Sequence, residues 1–267
     1  MILASASLVH LTLTVLAAGA YAWTALRASQ LSAQAARLGV VIAWALHGGV
    51  LAWGWASLTP HFGFAQALSM TAWVVAALYA VESQVFPQLQ TRWALAGLGA
   101  VVVVLAYVFP GATLPPQASI WLPLHLAVGV ACYGLFGTAV VHAWLMHRAE
   151  ARIRVGADPH SGLPLLTLER LTYRFVTAGF VLLTLTLIMG YSFGDVVYGP
   201  AHAWHWDHKT TFSVLSWGTF AVLLAGRWQF GWRGKRANRM LYAGSALLLL
   251  GYVGSRFVLE VILGRVV

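Results

Sequence analysis

The chain has 267 residues, 60% of them hydrophobic and only 9% charged, with a formal charge of +9. A soluble domain carries about 25% charged residues, so a water-facing globular surface is excluded and lipid must be the solvent. The basic residues fall in short gaps between apolar runs, the pattern of a polytopic membrane protein and not of a nucleic-acid binder. The single cysteine, Cys132, lies inside an apolar run. It excludes an intrachain disulfide and a cysteine-built metal site and reads as a small packing residue.

A membrane span takes roughly 20 mostly apolar residues, and about eight stretches meet or approach that length. In chain order they are Ile2–Leu26, Leu38–Leu58, Phe64–Val81, Trp93–Phe109, Trp121–Met146, Leu171–Phe193, Thr211–Gly226 and Met240–Leu263. The first lacks the basic leader of a secretory signal and is taken as a retained span. Backbone groups in lipid must be paired internally, so the spans are helices. The expected fold is an all-α polytopic integral membrane protein of about eight transmembrane helices, forming a single transmembrane domain over residues 1–267.

The gaps after odd-numbered spans hold Arg27, Arg37, Arg92, Arg148, Arg152, Arg154, Arg170, Arg227, Arg233, Lys235, Arg236 and Arg239. The other gaps hold little beyond Lys209 and the late Arg265. The positive-inside rule then places both termini outside, which in a bacterial inner membrane is the periplasm. The long inner gap His147–Arg170 contains Gly156, Pro159, Gly162 and Pro164 and reads as a basic surface loop against anionic lipid. Docking of a soluble partner is its alternative. The turn Gly231–Arg236 has the same reading. No phosphate-binding loop, dinucleotide fingerprint or zinc-protease motif is present, and bond-making chemistry is not expected.

The residues suited to chemistry are histidines. His47, in Trp44-Ala45-Leu46-His47-Gly48-Gly49, falls midway along the second span on a face with Trp44, Leu51 and Trp55. An ionisable group at that depth is a functional candidate, against the alternative of an imidazole hydrogen-bonded to another helix. His61 lies in the next outer turn. His125 opens the fifth span and shares a face with Gly129 and Cys132 or Tyr133. Gly129 leaves room for a planar group, or for tight helix packing.

The outer gap before the seventh span reads Trp204-His205-Trp206-Asp207-His208-Lys209-Thr210-Thr211. Imidazoles are axial ligands of haem iron, and the macrocycle wants apolar walls and cations for its propionates. His125 and His208 are the candidate metal ligands, with His47 as a further one. Trp204, Trp206 and Trp217 are candidate walls, Lys209 and Arg256 candidate propionate partners, and Asp207 orients the loop. Indoles also gather at membrane interfaces with no ligand at all. Arg256 and Glu260 are spaced to pair along a helix.

The run Trp204–Trp217 resembles the tryptophan-rich WWD region of the haem-handling proteins of cytochrome c assembly, the CcsA/CcmC group. Trp204, Trp206, Asp207, Lys209, Thr211 and Phe212 fall at matching places, and His125-Leu126 with Ala131-Cys132-Tyr133-Gly134 looks like the helix that begins with that group's external haem-ligating histidine. Pro164–Arg170, Gly179–Thr186, Gly231–Arg236 and Gly251–Arg256 resemble the YpjD branch, small inner-membrane proteins of about eight spans. The resemblance is strongest over residues 120–265.

Two histidines of the CcsA pattern are replaced, by Ala225-Gly226-Arg227 and by Phe257-Val258-Leu259-Glu260, and His208 stands where CcsA has proline. The resemblance therefore implies a reduced haem-binding role: binding or presenting haem b at the periplasmic side of a bacterial inner membrane. Cytochrome c assembly proteins would be the partners. Two alternatives remain at this point. One is a HemX-like regulator of haem biosynthesis acting through the basic loop with Arg148, Arg152 and Arg154. The other is cation transport through Glu260, Asp207 or His47.

Overall fold

The computed structural model describes residues 8–57, 59–85, 92–114, 120–154, 165–192 and 206–264. The helices among them are α1 (Leu8–Leu26), α2 (Ala33–Trp55), α3 (Phe64–Val85), α4 (Arg92–Val108), α5 (Trp121–Arg154), α6 (Leu165–Ser192), α7 (His208–Phe230) and α8 (Gly234–Leu249). The last continues through π-helical turns at Leu250–Gly254 and Val258–Ile262, separated by an α-turn at Ser255–Phe257. A helix lies at each apolar stretch picked from the sequence. Six are long and apolar enough to cross a membrane. Leu26, Ile188 and Val222 expose 82%, 53% and 50% of their surface, which only lipid can cover at such density.

Where the sequence reads one domain, the contacts group the chain into two compact units, Met1–Pro116 with Leu263–Val267, and Gln117–Ile262. The break falls close to where the family resemblance strengthens.

In the first unit, small residues on α1, α2 and α4 (Ala17, Ala43, Ala96) pack around Tyr21, Val50 and Val103. Small contact residues let helices approach closely where lipid gives no hydrophobic drive to associate. Trp44 of α2 and Trp73 of α3 stack at 4.8 Å with planes 9° apart. Each indole N–H donates to the other's carbonyl, at 3.1 and 3.0 Å. The Gln66 amide donates to the Ala106 and Phe109 carbonyls at 3.0 Å, closing the C-terminal end of α4.

Two short strands, β1 (His61–Phe62) and β2 (Ala112–Thr113), pair antiparallel. This bridge depends on Gly111, whose φ is +77° and whose absent side chain faces the Gly63 amide nitrogen at 2.6 Å. Gly111→Ala should cost about 1–2 kcal/mol from the left-handed backbone alone. Thermal unfolding in detergent should show the loss, and an unchanged midpoint would mean the bridge contributes nothing.

In the second unit, contacts between α5 and α6 run in opposite senses along the two chains. Gly190 faces His125, Thr186 faces Gly129, Gly179 faces Phe136 and Phe175 faces His142. The pair is therefore antiparallel. Phe136 of α5 stacks on Phe220 of α7 at 3.8 Å, and each ring lies over a glycine of a neighbouring helix, Gly179 and Gly244. Cys132 is buried, its thiol 3.5 Å from the Gly179 carbonyl, as a packing residue should be.

Both α5 and α6 outrun their apolar stretches, α5 to Arg154 and α6 from Leu165. Hydropathy marks where lipid ends and not where a helix ends. Glu150 and Arg154, one turn apart at 3.6 Å, sit on the polar extension of α5.

Candidate functional site

His47 is fully buried, with Nε2 2.8 Å from the Ser69 hydroxyl and Nδ1 3.4 Å from the Tyr21 hydroxyl. Both ring nitrogens are engaged by neighbouring helices, so neither offers a lone pair to a metal. His47 is thus a hydrogen-bonded bridge among α1, α2 and α3, the alternative that the sequence held beside a ligand role. Gly48 beside it admits the Trp73 indole at 3.2 Å, whereas nothing approaches Gly49 within 4 Å. Trp55 packs on Phe62, and His61 is an exposed strand residue.

His125 sits in the second turn of α5, whose first turn accommodates Pro123, as helix starts do. It is buried, 8% exposed. Its ring faces Gly190 on α6, where a Cβ would lie 3.7 Å from Cε1. Asp207 caps α7 by accepting the Thr210 N–H at 2.7 Å. It thereby orients the backbone where the loop enters the helix. The cap starts the helix so that Lys209 enters the unit, near enough to His125 to act on it electrostatically.

The Lys209 ammonium lies 5.7 Å from the centre of the Tyr252 ring, and the Arg256 guanidinium lies 6.0 Å from it. One ring therefore gathers both cations. Tyr252 belongs to the first π-turn, which brings Gly251 against Ser213 and the Lys209 carbonyl. A π-turn inside a helix often marks a functional position. Here it is held by hydroxyls: Tyr133 donates to the Leu248 carbonyl at 2.5 Å, and Ser255 to the Gly251 carbonyl at 2.7 Å.

The two described indoles of the candidate site are placed differently from one another. Trp206 is 71% exposed. Trp217 donates to the Thr184 hydroxyl at 2.9 Å and stacks on Phe180 at 5.5 Å, a contact that joins α7 to α6. Trp206 thus faces outward, and Trp217 is held by helix packing. Trp204, His205 and His202 lie outside the described residues. His208 is exposed in the first turn of α7. Among the described residues no three His, Cys, Asp or Glu converge, an arrangement unsuited to a structural zinc but no obstacle to haem, which takes one or two protein ligands.

The donor set at His125, Lys209 and Arg256, an imidazole and two cations that share one aromatic ring, is of the kind that a haem takes. Sequence reasoning named these three residues and missed Gly190 and Tyr252, since a glycine or tyrosine in an apolar helix carries no signal of its own. Trp217→Phe should cost about 1 kcal/mol of stability through the lost hydrogen bond and leave haem content unchanged. Loss of haem in that variant would make Trp217 a wall of the site.

The cation-transport reading leaned on Glu260, Asp207 or His47; the structure places Glu260 in the second π-turn and uses Asp207 as a cap and His47 as a bridge. Of the basic loop offered as a regulatory surface, residues 155–164 lie outside the described residues. Arg148 stacks on Trp144 at 4.3 Å.

Residues 35–263 match the family model described as cytochrome c assembly protein. The cytochrome c biogenesis protein CcsA of Prochlorococcus marinus (strain MIT 9303) is 29% identical over 169 residues, covering 53% of this chain and 52% of that protein. The CcsA protein of Parasynechococcus marenigrum (strain WH8102) is 28% identical over 165 residues, covering 53% of each. That of Synechococcus sp. (strain CC9902) is 31% identical over 165 residues, covering 53% of this chain and 54% of that protein. The chain thus spans about half the length of these relatives. No solved structure matches.

Proposed function

The chain belongs to the cytochrome c assembly protein family, and from that membership we propose that it binds haem b and presents it for cytochrome c biogenesis at the periplasmic side of a bacterial inner membrane. The observation that carries this reading is the buried imidazole of His125, set against Gly190 and close to Lys209, with Arg256 gathered beside Lys209 by Tyr252. His125 would ligate the iron, and Lys209 and Arg256 would meet the propionates. His208 is the candidate second ligand. The family's haem supplies the redox-active iron and the vinyl groups that a cytochrome apoprotein would receive; this chain's part is to hold and orient the group in a dry place, not to make bonds.

In this reading α4 and α7 cross the membrane with the six helices that are long and apolar enough to do so, both termini lie outside, and the chain is of the YpjD type. Apocytochrome-carrying assembly proteins are its partners. The test is the absorption spectrum of the protein purified in mild detergent and supplied with haemin, oxidised and reduced. A Soret band that shifts on reduction is expected at near one haem per chain. No band above that of free haemin in detergent would overturn the proposal.

A further inference from the structure

At the far end of α7 from Lys209, the chain turns into α8 through Gly231, whose φ of +63° closes the helix. The sequence from 208 to 259 contains no carboxylate. Five cations are concentrated around this turn: Arg227, Arg233, Lys235, Arg236 and Arg239. Glu169 of α6 reaches only the first two, Arg227 at 2.6 Å and Arg233 at 3.3 Å. Lys235, Arg236 and Arg239 are exposed.

Aromatic rings share the surface. Trp228 is 84% exposed and Phe230 72% exposed. Phe230 stacks on Trp232 at 6.4 Å, and the Arg236 guanidinium lies 3.8 Å over the Trp232 ring. Bare indole and phenyl rings beside fixed cations suit the headgroup depth of a bilayer. Water alone would leave the rings exposed, and hydrocarbon alone would leave the cations unsolvated. The charge order within α8 adds to this. Lys235 and Arg236 stand in its first turn, no acidic residue does, and the N-cap Arg233 makes no side-chain cap. Cations at the positive end of a helix repel its dipole, and a bound anion relieves that repulsion.

We propose that the α7–α8 turn is a binding site for an anionic phospholipid, its phosphate held by Lys235, Arg236 and Arg239 and its glycerol and upper acyl region lying on Trp228 and Phe230. The occupant is a lipid and not free phosphate, because the rings give the site an apolar half that phosphate cannot use.

The test reconstitutes the full chain into nanodiscs of phosphatidylcholine and phosphatidylglycerol at 4:1, extracts it gently and measures the retained lipids by mass spectrometry. The wild type should retain phosphatidylglycerol over phosphatidylcholine in a ratio at least about ten-fold above the bulk ratio, as several basic residues at about 1 kcal/mol each allow. The triple substitution Lys235→Gln, Arg236→Gln, Arg239→Gln should bring retention down to the bulk ratio. Arg148→Gln with Arg154→Gln removes charge from α5 and should leave the enrichment intact. Within the wild type, raising salt from 0.1 to 0.5 M should release the retained phosphatidylglycerol and spare phosphatidylcholine, a result that does not depend on any variant folding. Enrichment absent from the wild type, equal in both sets of variants, or abolished by millimolar inorganic phosphate at constant ionic strength would overturn the proposal.

Discussion

His125→Ala should lower haem content by about ten-fold or more, on the scale at which disturbing a metal's ligand environment acts. The measurement is the Soret absorbance per chain after supplying haemin and removing the excess. The imidazole sits in a helix that packs along α6, so alanine there removes the ring and leaves the backbone in place. Exogenous imidazole should then restore much of the band, because the space left by the ring faces Gly190, which has no side chain to fill it. Restoration separates loss of a ligand from loss of the fold. His47→Ala gives the opposite pattern: the Soret band stays and thermal stability falls, since Ser69 and Tyr21 lose their partner. His208→Ala should keep the haem but change its coordination, moving the reduced spectrum toward a five-coordinate form. Full haem in His125→Ala without added imidazole would move the ligand elsewhere.

The helices were legible in the sequence because lipid imposes a length and an apolar composition that can be counted. Their ends were not, since α5 and α6 continue past the apolar run on polar residues such as Glu150 and Arg154. The candidate site was legible in its charged members. His125, Lys209 and Arg256 stand out in a chain with few ionisable groups, and an intramembrane charge invites a functional reading. At His47 one sequence position cannot show that Ser69 and Tyr21, on two other helices, take both nitrogens. Nor can it show that the Trp217 N–H finds Thr184 across a helix interface. The π-turn that carries Tyr252 was not visible at all. Its hydrogen bonds rest on Tyr133, more than a hundred residues earlier, and no local pattern encodes that pairing.

Glu169→Ala should destabilise the second unit by about 3 kcal/mol, the lower range for removing one partner of a largely buried ion pair. Glu169 is 16% exposed and lies 2.6 Å from Arg227, which is 26% exposed. Arg227 also stacks on Tyr173 at 4.4 Å and donates to the Trp232 carbonyl at 3.2 Å, while the Tyr173 hydroxyl donates to the same carbonyl at 3.0 Å. One carboxylate thus ties α6 to the end of α7 and to the turn that follows. Without it, Arg227 is left with a carbonyl and a ring but no counter-charge, and Arg233 swings out to solvent at little cost, being 63% exposed already. The expected reading is a drop of several degrees in the thermal midpoint in detergent. The double variant Glu169→Ala, Arg227→Ala should be clearly more stable than the sum of the two single changes, because the unpaired charge is removed along with its partner. Additive losses would show that the contact is a surface pair with no part in holding the turn. The same experiment bears on the lipid site: freeing Arg227 and Arg233 from Glu169 adds uncompensated positive charge there, so Glu169→Ala should retain more phosphatidylglycerol than the wild type even as it unfolds more readily.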